Sequence, residues 1–66
     1  MIIKDFTEPE LDYFREKCHF VGDESLLFEL RSNGLTLEEA AEALNMSVDG
    51  VKKLSRKINK KIIKVL

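Results

Sequence analysis

The chain has 66 residues, 44% of them hydrophobic and 35% charged, with a formal net charge of −1. A chain of that length makes one domain, residues 1–66, that buries only about 60% of its unfolded surface, so we expect modest stability and no room for both a core and a catalytic cleft. The lone Cys18 excludes an internal disulfide and a cysteine zinc cluster, and no run approaches the roughly 20 apolar residues of a membrane span.

Residues 1–6 read as a short N-terminal arm. With Asp5 and no long apolar run, this arm lacks the pattern of a signal peptide, and a cytoplasmic setting is expected. Thr7-Glu8-Pro9-Glu10 has capping-box form, with Thr7 at the N-cap, Glu10 three residues on, and Pro9 in the tolerant first turn. Leu11, Phe14 and Cys18 then share one face, which predicts a helix over about 7–19 that ends before Gly22. A second helix, about 24–33, starts near Asp23 or Ser25, turns Leu26, Leu27 and Leu30 inward, and stops at Asn33-Gly34. Gly34 suits the left-handed position past a helix end. Thr36-Leu37-Glu38-Glu39 is a second capping box, opening a short helix over about 36–44 with Leu37, Ala40, Ala41 and Leu44 as its apolar stripe. Ser47 caps a fourth helix, about 48–64. Period-two alternation is absent, and loops of three to five residues suit a small all-α, four-helix domain.

The third and fourth predicted helices are separated by Asn45, Met46 and Ser47. In a helix-turn-helix the second helix crosses the first steeply. The close crossing needs a small residue, supplied by Ala41, and the turn needs a residue that tolerates positive φ, supplied by Asn45. Met46, Val51 and Leu54 serve as apolar plugs. The plainer alternative is an ordinary αα-hairpin in a small bundle.

The near-zero net charge conceals a segregation. Residues 1–44 carry four basic side chains against eleven acidic ones, whereas residues 45–66 carry seven basic against one acidic, Asp49. Projected at about 100° per residue, Val51, Leu54, Ile58, Ile62 and Val65 of the fourth helix form one stripe. Lys52, Lys53, Arg56, Lys57, Lys60 and Lys64 fall on the opposite half. Such a face either neutralises phosphates with its leading turns in a major groove or is a solvated lysine face.

Position assigns candidate roles. Val48, Asp49, Lys52 and Lys53, with Arg56 next, lie where a recognition helix reaches base edges; Val48 suits a thymine methyl and Asp49 a cytosine amine. Lys57, Lys60 and Lys64 lie farther along, suited to phosphates or solvent. Thr36 and Ser47 begin helices, where they cap and where a hydroxyl and amides can grip a phosphate. Asp49 favours the helix N-terminus yet repels phosphate. Gly50 weakens the helix by about 1 kcal/mol relative to Ala; either it admits a close DNA backbone or the site is simply unoptimised. Ile63 falls outside the apolar stripe, either frayed or a contact for a second copy or partner. Cys18 and His19 have no second Cys or His to complete a metal site. The Glu38, Glu39 and Glu42 carboxylates are surface charges, not an acid–base pair. We therefore expect no enzyme activity, no cofactor and no small-molecule substrate.

The run Gly34-Leu35-Thr36-Leu37-Glu38-Glu39-Ala40-Ala41-Glu42-Ala43-Leu44-Asn45-Met46-Ser47, with Val51-Lys52 and the basic stretch through Lys57-Ile58 and Lys60-Lys61-Ile62, resembles the helix-turn-helix superfamily of bacterial sigma factor region 4 and LuxR-type response regulators. The resemblance extends over Thr7–Ile62. Ala40 stands where the family usually has Ile or Val, and Gly50 where a phosphate-contacting Thr is common. The resemblance implies promoter-type recognition of double-stranded DNA and, for sigma region 4, docking on RNA polymerase. No segment resembles the promoter-melting region of a sigma factor or a receiver domain. The expectation is a small stand-alone transcriptional regulator, of the kind carried by a phage or mobile element, or an excised domain. A single recognition helix makes few base contacts, so tight binding calls for a homodimer or a partner. The alternative is a sigma-like protein-interaction module that binds RNA polymerase or another regulator through its acidic helices.

Overall fold

The computed structural model describes residues 6–66; all of the arm but Phe6 lies outside the described residues. Four helices follow in order: α1 Glu8–Cys18, α2 Asp23–Ser32, α3 Leu37–Leu44 and α4 Val48–Val65. Among the described residues there is no strand, and no helix is long and apolar enough to cross a membrane.

The helix ends follow local chemistry. At α1 the Glu10 carboxylate accepts from the Thr7 N–H at 2.8 Å and the Thr7 hydroxyl at 3.1 Å. At α3 the box is reciprocal: Glu39 N–H donates to the Thr36 hydroxyl at 3.1 Å, and Thr36 N–H donates to the Glu39 carboxylate at 2.9 Å. The Ser47 hydroxyl caps α4 by accepting from Gly50 N–H at 3.1 Å. The C-terminal ends of α2 and α3 close alike. Gly34 at φ 91° lets the Leu35 N–H reach back to the Leu30 carbonyl, and Asn45 at φ 55° lets the Met46 N–H reach the Ala41 carbonyl. Both are six-to-one closures around a left-handed residue. The end of α1 uses His19 in the same region at φ 52°, which the sequence reading did not assign.

The start of α2 falls at Asp23, as expected, but no side chain caps it, because Gly22 occupies the N-cap. Instead, the Glu24 carboxylate reaches back to accept from Val21 N–H at 3.3 Å.

The core gathers Leu11, Phe14 and Cys18 of α1, Leu27 and Phe28 of α2, Ala40 and Ala41 of α3, and Val51, Ile58 and Ile62 of α4. The last helix is the organiser: it packs against each of the other three, and α2 also packs on α3. One expected core position is corrected. Leu26 is 54% exposed, whereas Phe28 is fully buried. Leu26 sits about 100° around the helix from Leu27, and Phe28 about 100° the other way, so one ten-residue helix cannot bury both flanks. The aromatic Phe28 prevails because it meets Phe20 with ring centroids 4.7 Å apart, burying a larger apolar area. Arg15 fastens α1 to α2 with a forked contact to Glu29, Nε to one oxygen at 2.6 Å and a terminal nitrogen to the other at 3.0 Å. Asp12 also accepts from Arg15, and the two carboxylates raise its guanidinium pKa above the ordinary arginine range, hydrogen bonding to Glu29 being the largest cause.

Candidate nucleic-acid interface

The segment that presents the site is α3, the turn 45–47 and α4. Ala40 and Ala41 are buried at the contact between these two helices and α2. Small side chains there let helix axes approach closely. Asn45 at φ 55° and ψ 45° occupies the left-handed region, which reverses the chain in three residues at a lower steric cost than most non-glycine side chains would incur. Met46, Val48 and Leu54 then pack against the core from the turn and the first two turns of α4.

This packing fixes which half of α4 faces outward. Val51, Ile58 and Ile62 are buried, and Leu54 and Val65 are half-buried beside them. Lys52, Lys53, Arg56, Lys57, Lys60 and Lys64 are all exposed. Among the described residues the ion pairs are Arg15–Asp12, Arg15–Glu29 and Lys61–Glu24, so none of those six cations has a carboxylate partner within 4 Å. Lys61 differs. Lying about 80° from Val51 at the edge of the apolar stripe, it turns inward to the nearly buried Glu24 of α2. The Lys61 hydrogen bond, helped by Val21 N–H and the charges of Lys61 and Lys57, holds the Glu24 carboxyl below the usual carboxylate range against the opposing pull of burial. This pair was missed from sequence, because a lysine beside a stripe edge carries no sign of a carboxylate 37 residues earlier.

The other sequence candidates fall into distinct places. Asp49 is exposed in the first turn of α4, where its charge complements the helix N-terminus. Val48 is half-buried and packed on the core, so only part of its side chain is free to touch a base. Ser47 and Thr36 are both exposed, and both hydroxyls accept from their own helix. At Thr36 the N–H is also occupied by Glu39, a contact that lowers the Glu39 pKa. A Cβ at Gly50 would sit 3.2 Å from the capping Ser47 hydroxyl and in ordinary contact, at 3.4 Å, with the Met46 methyl, so a side chain there would press on the cap alone.

Other features lie apart from this face. Cys18 is buried, and burial pushes its thiol pKa up, with Lys61 opposing; it is a core residue. An open apolar depression of about 280 Å³ is lined by Pro9, Glu10, Tyr13, Phe14 and Leu66, and the Glu10 carboxylate beside it is committed to Thr7. Ile63 is 61% exposed, as its place on the basic side of α4 predicts. Among the described residues, the buried Asn59 side-chain oxygen has no hydrogen-bond partner.

Comparisons of the chain with protein-family models, with curated proteins and with solved structures found no match.

Proposed function

We propose that α3 and α4 act as a helix-turn-helix and that the protein is a small sequence-specific, double-stranded-DNA-binding transcriptional regulator of the cytoplasm. The leading turns of α4 enter the major groove. Asp49, Lys52, Lys53 and Arg56, with the free edge of Val48, face base edges, while Lys57, Lys60 and the N-termini at Ser47 and Thr36 meet phosphates. The resemblance of Gly34–Lys52 to sigma region 4 and LuxR-type domains supports the same reading.

One observation carries it. Among the described residues, six cations on α4 stand exposed without a carboxylate partner, while the seventh is drawn inward. A row of unpaired cations on one rigid helix releases counterions when it meets a polyanion, which gives affinity a steep dependence on salt.

Fluorescence anisotropy with labelled duplexes tests this. Log affinity should fall against log salt with a slope of roughly −4 to −5, and selection from random fragments should enrich a defined sequence. No binding to any duplex at low salt, or a salt-independent affinity, refutes the reading.

A second reading is favoured by Glu38 and Glu42, exposed on α3 and without ion-pair partners among the described residues. They suit a sigma-like module that binds RNA polymerase or another regulator. Nuclease-resistant recovery of polymerase, lost on reversing Glu38 and Glu42 but retained in Lys52→Ala with Lys53→Ala, would favour it.

A further inference from the structure

Two exposed helix faces carry opposite charges at the same spacing. On α4, Lys52, Arg56, Lys60 and Lys64 recur every four residues and are all exposed. On α1, Glu8, Asp12 and Glu16 recur every four residues and are all exposed. Four residues of helix advance about 6 Å along the axis, so the two rows match in register as well as sign. Although α1 and α4 pack together within one molecule, no ion pair joins the two rows. Both rows are solvent-exposed and open to contact between molecules.

We infer that the cationic face of α4 docks, in the absence of nucleic acid, on the acidic row of α1 of a second copy of this chain. The α1 row suits the role better than α3. It offers three carboxylates over nine residues, whereas α3 offers Glu38 and Glu42, with Glu39 tied into its capping box. Asp12 is partly satisfied by Arg15, so Glu8 and Glu16 contribute most. The contact is heterologous, one face against a different face, and grows into a chain unless its rotation closes it into a ring or pair. It uses the surface assigned above to DNA. Duplex DNA presents one charge per about 1.7 Å, against one per about 6 Å along α1, so a duplex displaces the second copy.

The inference concerns the free protein and is tested without DNA, so its failure leaves the DNA reading standing, and the reverse. Sedimentation velocity of the full chain should show concentration-dependent association at about 10 mM salt. The association constant should fall at least about tenfold by about 300 mM, where screening is short-ranged. Glu8→Gln with Glu16→Gln should abolish association while leaving the helical circular dichroism unchanged. Arg56→Glu with Lys60→Glu should also be monomeric. Mixing that variant with Glu8→Lys/Glu16→Lys should restore a complex, because both contacts between the two variants are then complementary. A monomeric wild type at low salt, association that survives Glu8→Gln/Glu16→Gln, or association lost instead in Glu38→Gln/Glu42→Gln would each overturn the inference.

Discussion

The Lys61 ammonium donates to the Glu24 carboxylate at 2.5 Å, a contact between α4 and the first turn of α2 across 37 residues of chain. Glu24 is only 8% exposed, so its charge depends on that partner. Lys61→Met keeps the apolar stem but leaves the carboxylate desolvated, and should cost about 1.5–3 kcal/mol in chemical denaturation.

The same contact gives a pH signature. The folded Glu24 pKa lies below its ordinary value, so the stability it contributes is complete above the usual carboxylate range. It is lost as pH falls through that range toward the folded value. Wild-type stability should therefore decline below about pH 5, and Lys61→Met should flatten that decline. An unchanged slope in urea titrations at successive pH values would contradict the assignment.

Asn45 fixes the turn before α4. Replacing it by Val places a β-branched side chain in the left-handed region and should cost about 1–2 kcal/mol, while Asn45→Gly should be near neutral. In a domain of this size the Val variant should melt about 5–10 °C lower. Circular dichroism melts of the two variants separate a backbone effect from loss of a side-chain contact.

Ala41 is 3% exposed where α3 packs. Ala41→Leu should force the helices apart and cost about 1–3 kcal/mol. On the proposed function, it should weaken duplex binding without altering any exposed cation.

Among the described residues, nothing hydrogen-bonds the buried Asn59 side-chain oxygen. Asn59→Leu removes that unsatisfied acceptor and should raise stability by about 1 kcal/mol, read as an increase in denaturation midpoint.

On α4, position should separate specificity from affinity. Lys60→Ala should weaken binding to all duplexes alike and reduce the magnitude of the salt slope by about 1. Arg56→Ala should in addition narrow the gap between selected and random duplexes, costing about 1–3 kcal/mol on the selected site alone. Anisotropy on both duplexes across salt distinguishes the two patterns.

Local chemistry made much of this fold legible. Both capping boxes, the left-handed Gly34 and Asn45, and the apolar stripe of α4 are short-range patterns, each set by residues within one or two turns. The helix starts at Thr7, Thr36 and Ser47 follow from them. What local patterns could not give was partner choice. Leu26 and Phe28 compete for one buried flank of α2, and the winner depends on Phe20 arriving from the preceding loop. Lys61 is indistinguishable from its neighbours until Glu24 is placed against it. Half-burial of Val48 likewise follows from packing, because a Val one residue past an N-cap can point either way. The cationic half of α4 was legible because every other direction on that helix was already claimed by core residues.

The inward half of α4 holds the domain together, while the side chains of Asp49, Lys52, Lys53 and Arg56 on its outward half make none of the side-chain hydrogen bonds or ion pairs among the described residues. These four positions are therefore free to vary without disturbing the scaffold. A library randomised at them should stay folded across most members, so that on the proposed function new sequence preferences are reached by exchanging surface side chains alone.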